Sequence, residues 1–187
     1  RRTLHVMVLP AAPAMIPAEV LANVSESADY ELVYSLDIPA NGNLSGGAGY
    51  TPYSVDRSAE SGSFSRVAYY LELQKGGEPE ATFAWVSMDA FTTERSEIGV
   101  PNLSSGASFQ QLATNLNVVS NSGITTGSGI SGNLEFWPNS YAQDNSLPVP
   151  GASGTVFDFG DRPAAGNYGS MQIHNHMVGE TIFAINH

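Results

Sequence analysis

The sequence predicts an all-β fold, an antiparallel β-sandwich or jelly roll with little helix, and three observations carry that expectation. Apolar and polar residues alternate with the two-residue repeat of a strand over most of the chain. The alternating runs stop at short turns rich in Gly, Pro and Asn. Helix-favouring Lys is scarce, while Ser, Thr, Asn and Gly are abundant. With 187 residues and 42% hydrophobic content, the chain fits a single domain, 1–187, with a core of its own.

The elements follow in order. Thr3 to Leu9 (TLHVMVL) reads as a strand ended by Pro10, Pro13 and Pro17. Tyr30 to Ile38 alternates and stops at Pro39. Arg66 to Leu73 (RVAYYLEL) and Thr82 to Phe91 (TFAWVSMDAF) form a hairpin around Lys75-Gly76-Gly77-Glu78-Pro79. Further strands are expected at 114–119, 133–137, 155–159, 169–175 and 180–186. Only 17–24 and 106–113 carry the makings of a helical turn or two. No repeat of solenoid length appears.

Charge narrows the partners. Seven Lys plus Arg against 18 Asp plus Glu give a net charge of −11, a field that repels phosphates and anionic lipid heads. Nucleic acid and membrane surfaces are therefore not expected partners, and no apolar run approaches the length of a membrane-spanning helix. With no Cys there are no disulfides, thiolate zinc sites or Cys nucleophiles. The Ser-, Thr-, Asn- and Gly-rich surface is that of a secreted β protein, so an extracellular or cell-surface location is expected. Arg1-Arg2-Thr3 reads as a processed start.

Familiar catalytic motifs fail on context. Gly127-Ser-Gly129-Ile-Ser-Gly132 matches the dinucleotide fingerprint, which needs a helix after it. An aromatic stretch and Pro138 follow instead, so a Gly/Ser loop is expected. No G-x-S-x-G elbow marks a nucleophilic serine. Glu135, Asp158 and Asp161 lie in apolar surroundings, where a carboxylate ties a turn, binds a structural Ca²⁺ or joins an acid–base pair. Turn ties are the favoured reading of the three.

His174 and His176 stand two residues apart, hence on one face of a strand. As metal ligands they would need a third ligand such as His187, Glu135 or Asp158; as core histidines they need only hydrogen bonds. Because Met171, Ile173 and Phe183 read as core, structural histidines are favoured. The candidate metal set is thus Asp158, Asp161, His174 and His176, with calcium as the cofactor this chemistry suggests. Gln172-Ile173-His174 is similar to a strand motif of jelly-roll alginate lyases, but the Arg-rich strand that would hold an acidic sugar is missing. Tyr50, Tyr53, Trp137 and Tyr141 fall at turns, where an exposed ring stacks on a sugar, and form the candidate ligand-binding set.

SRVAYYLEL (65–73), WVSMDAFT (85–92), NLNVVSN (115–121), GNLEFWPNSYAQDNS (132–146), FDFGD (157–161) and YGSMQIHNH with TIFAINH (168–187) together resemble one family. It is a β-sandwich module of large secreted planctomycete- and verrucomicrobial-type proteins, often labelled sialate O-acetylesterases. The resemblance implies a secreted β-sandwich and no esterase activity here, because the serine block of such esterases is absent. It also implies a strand-forming continuation after His187 and makes Thr3–Val8 look like a closing strand placed first. Residues 1–9 are accordingly expected either to close their own sandwich beside 180–186 or to be exchanged into a neighbouring copy.

Three functions are consistent with these readings. The leading one is a non-catalytic extracellular module that binds glycan or polysaccharide, or is accessory to a glycan-processing or cell-surface protein. The second is a structural subunit of an extracellular fibre, self-associating through its terminal strands. The third is a polysaccharide lyase or glycosidase resting on Glu135, His174 and Tyr168.

Overall fold

The computed structural model describes residues 2–9, 16–37, 53–99, 109–124, 126–136, 157–159, 170–175 and 180–186. The strands are β1 (Arg2–Val8), β2 (Glu31–Asp37), β3 (Val55–Asp56), β4 (Arg66–Leu73), β5 (Thr82–Asp89), β6 (Phe109–Ser120), β7 (Gly127–Phe136), β8 (Phe157–Phe159), β9 (Ser170–Asn175) and β10 (Glu180–Asn186). One short helix, α1 (Ala18–Asn23), and two 3-10 turns (Ser25–Asp29 and Arg95–Glu97) complete the described elements. The fold is all-β and mostly antiparallel, as the alternation predicted. All ten strands belong to one sheet in the order β10-β9-β8-β7-β6-β5-β4-β1-β2-β3. Among the described strands only β8 runs parallel to a neighbour, β7. Stacking of two sheets as in a sandwich stays an expectation.

The N-terminal strand corrects one expectation. β1 pairs with β2 on one side and β4 on the other, while β10 lies at the far edge beside β9. Its pattern explains the place. Leu4, Val6 and Val8 face one core cluster and Met7 the other, and a strand buried on both faces belongs in the middle of a sheet. Between Val6 and Met7 the register with β2 slips. Val33 is the extra residue of that bulge, and it joins Tyr34 on the same core cluster.

Strands β4 and β5 are each buried over six consecutive residues. An antiparallel sheet commonly leaves one face wet, so something must cover the second face. On the first, called here the core face, Val67, Tyr69 and Leu71 pack with Ala84, Val86, Met88, Leu116 and Val118. On the second, the cover face, Ala68, Tyr70, Phe83 and Trp85 pack beneath Val20, Val24 and Tyr30. Pro17 starts α1 with φ −53, already the helical value, and Glu19 places a carboxylate in its first turn. Val20 and Val24, four residues apart, supply the buried stripe.

Two other sequence expectations are corrected. The helical turn expected at 106–113 is strand from Phe109 onward, because Phe109 to Ala113 pair residue by residue with Phe136 to Gly132. The Gly/Ser loop expected at 127–132 is the first half of β7. Gly127 and Gly129 adopt φ of 137° and 71°, which glycine permits while the strand continues.

Candidate functional site

Polar groups on the covered half of the sheet are spent on fixing its cover. His5 Nδ1 lies 2.9 Å from Ser35 Oγ, and its Nε2 lies 3.5 Å from the Glu19 carboxylate on α1. The His5 ring stacks on Tyr70, with centroids 6.0 Å apart. Tyr70 donates to Glu72 at 2.8 Å and accepts from Asn23 of α1 at 2.8 Å. Burial, reinforced by that bond to Glu72, pushes the Tyr70 hydroxyl well above its ordinary range. Further along, Glu26 accepts from the Trp85 indole and, at 2.6 Å, from Asn117. Sequence reasoning missed this set, since residues 19–26 meet strands far along the chain.

Two more knots hold the sheet's margins. Arg95 Nη2 donates to Glu31 at 3.1 Å, and Nη1 lies 3.0 Å from the other carboxylate oxygen, with both residues buried. Arg66 donates to Asp89 at 2.9 Å, to Ser87 at 3.0 Å and to the Asn115 carbonyl at 2.8 Å. Asn115 has φ 51°, at a slip in the β6–β7 register, and its amide donates to Asp89 at 2.6 Å. The left-handed residue is thus fixed from its carbonyl and its side chain together.

On the other half of the sheet, strand register continues the side of the core face through Phe109, Gln111, Ala113, Gly132, Leu134, Phe136, Phe157, Phe159, Met171, Ile173, Asn175, Glu180, Phe183 and Ile185. The opposite side carries Gln110, Leu112, Asn133, Glu135, Asp158, Ser170, Gln172, His174, Thr181, Ala184 and Asn186. One line of partners runs Leu112, Asn133, Asp158, His174, Thr181 across five adjacent strands. No Lys or Arg occurs anywhere on β6 to β10.

The predicted residues fall as follows. Asp158 and His174, two of the metal candidates, are direct partners on β8 and β9. Asp161 and His176 lie outside the described residues. Glu135 shares the face of Asp158 and His174. Among the described side chains no group of three metal-ligating residues converges. Of the ring candidates, Tyr53 packs against the core cluster, 4.5 Å centroid to centroid from Tyr34. Tyr50, Trp137 and Tyr141 lie outside the described residues, as does Tyr168. Among the described residues no helix is long and apolar enough to cross a membrane.

Comparison with protein families, with curated proteins and with solved structures returned no match. The family resemblance therefore rests on its motifs alone, and the functional reading on the geometry above.

Proposed function

We propose that this chain is a non-catalytic extracellular module that binds carbohydrate, alone or as an accessory to a glycan-processing or cell-surface protein. The supporting observation is that strand register gathers Gln110, Asn133, Glu135, Asp158, Gln172, His174 and Thr181 on one side of β6 to β10, along with Leu112 and Ala184, and that no Lys or Arg occurs on these strands. Such groups donate to and accept from sugar hydroxyls, and a sheet backbone holds them at fixed spacing. The covered half, pinned at His5, Tyr70 and Trp85, gives that face a rigid base. A glycan array followed by pull-down on insoluble polysaccharides tests the reading. Retention at millimolar sites or better is expected, and no retention on any polysaccharide contradicts it.

A second reading, a structural subunit that self-associates, draws support from β10. Among the described residues this seven-residue strand pairs only with β9. An edge without Lys or Pro is open to strand addition. Light scattering over a concentration series separates the two: growth of assemblies with concentration supports this reading, and a constant monomer mass removes it.

A further inference from the structure

We propose that His5 is a proton-linked latch for α1: when its imidazole takes up a proton, the ring clamps Glu19 of α1 and tightens the cover over Tyr70 and Trp85. The latch is independent of the carbohydrate-binding reading and governs how firmly the covered half of the sheet is closed.

His5 sits where α1 crosses the sheet. It is 3% exposed on β1 and shares the cover face with Thr3 and Met7, because Leu4, Val6 and Val8 take the core face. Each ring nitrogen meets an oxygen. Ser35 Oγ of β2 lies 2.9 Å from Nδ1, and Glu19 Oε1 of α1 lies 3.5 Å from Nε2. The link to Ser35 stays within the sheet, whereas the link to Glu19 joins the sheet to its cover. The Glu19 side chain is 25% exposed, so this side of the ring has a route to solvent protons. The other two ties of the cover, Asn23 to Tyr70 and Glu26 to Trp85, involve no imidazole.

The groups around the ring favour its charged form. From α1 comes the Glu19 carboxylate. From β4 come Tyr70, stacked on the ring, and Glu72, which accepts from Tyr70. From β2 comes neutral Ser35, with Asp37 one pair further along opposite Thr3. Thr3 and Met7, which share the face on β1, do not titrate. Among the described residues facing the ring, the charges are thus carboxylates, with no Lys or Arg. Burial by itself favours the neutral ring, but a carboxylate at contact distance in a shielded site is little screened and outweighs it. In the protonated ring both nitrogens donate, one to Glu19 and one to Ser35, and the bond to Glu19 becomes charge-assisted. With α1 lifted, His5 meets water and returns toward the ordinary histidine value of about 6.5. Above about pH 6.5 the closed state therefore holds more protons than the open one, so closure weakens as pH rises through that region. The contribution is complete below it.

Amide hydrogen exchange of the full chain tests the latch at Leu21 and Val24, whose N–H groups donate to the Pro17 and Val20 carbonyls. Protection, taken relative to the unstructured chain at each pH, is expected to be about tenfold greater at about pH 5.5 than at about pH 8.5, the factor that one pH unit of proton linkage supplies. Glu19→Gln keeps an acceptor without the charge, and there the difference should vanish. Glu78→Gln, on the β4–β5 turn, should keep it. The His5 ring resonance of the parent gives a measurement that needs no variant: it should titrate within the same interval, in step with the protection. Equal protection at the two pH values, protection that rises with pH, or a parent-like difference in Glu19→Gln overturns the latch. So does a His5 ring that stays neutral down to about pH 5.5.

Discussion

Asp158 on β8 and His174 on β9 stand directly opposite each other in antiparallel register, although sixteen positions separate them in the sequence. Opposed residues of this kind share a face, with Cβ atoms roughly 5 Å apart. The pairing turns two isolated polar residues into neighbours and aligns them with Asn133 and Thr181. It also sets them opposite a face built from Phe157, Phe159, Ile173 and Phe183. A slip of one residue would exchange the two sides of the strand.

The Glu31–Arg95 pair provides a stability test. Arg95→Met leaves the Glu31 carboxylate buried, with Arg57 3.8 Å away as its remaining cationic neighbour. Breaking a buried pair costs about 3–5 kcal/mol, and Arg57 argues for the lower end, about 3 kcal/mol. Urea unfolding measures it. Replacing both residues with Met should recover most of the loss, since no buried charge is then left alone. Equal stability of Arg95→Met and the parent would contradict the pairing.

Glu26 fixes the cover through Trp85, a fully buried indole that also meets Tyr30 edge to face at 5.1 Å. Glu26→Ala strands a buried N–H and should cost about 1–3 kcal/mol. Glu26→Gln keeps an acceptor and should cost less. Near-UV circular dichroism follows the ring, and an unchanged Trp signal in Glu26→Ala would show that the contact does not hold the cover.

Gly99 leaves no room for a side chain. A Cβ there would lie 2.8 Å from the Tyr53 hydroxyl and 3.1 Å from the Tyr34 ring. Tyr34 is buried and donates to the Arg95 carbonyl at 3.0 Å, so it has little freedom to retreat. Gly99→Ala should destabilise by about 1–3 kcal/mol through overpacking. A thermal melt that does not move would place Gly99 in open space instead.

Alkali should unfold the protein through its buried tyrosines. Burial raises the hydroxyls of Tyr69 and Tyr70 well above their ordinary value of 10.0, and that of Tyr30 above it too, partly offset by Arg66. Above pH 10 the unfolded chain releases these protons while the folded chain keeps them, so the unfolded state binds fewer protons and stability falls as pH rises. The contribution is complete below pH 10 and is lost progressively toward the raised folded values. Tyr70→Phe should flatten the decline in a pH series of urea midpoints; an unaltered slope would contradict the assignment.

Much of the fold was legible because alternation is local. RVAYYLEL and TFAWVSMD announce β4 and β5 and their hairpin through spacing and turn residues alone. Neither the place of β1 nor the partner of β10 has a local signal, since both depend on pairing between distant segments. Phe109, Leu112 and Ala113 have helical spacing, and pairing with β7 overrides it. At the site, the individual residues Glu135, Asp158 and His174 stood out in the sequence as unusual polar groups among apolar ones. Their common face did not, because it requires the register of three strands, one of them parallel. Tyr53 shows the opposite failure: a turn aromatic that reads as exposed is packed against Tyr34.

The most direct measurement is an NMR titration of the isotope-labelled chain with a neutral linear oligosaccharide taken from the polymer it retains best. Saturable shifts of backbone amides on β6 to β10 are the expected result, with α1 and the β4–β5 hairpin unmoved. No shifts at saturating ligand would contradict the carbohydrate-binding reading.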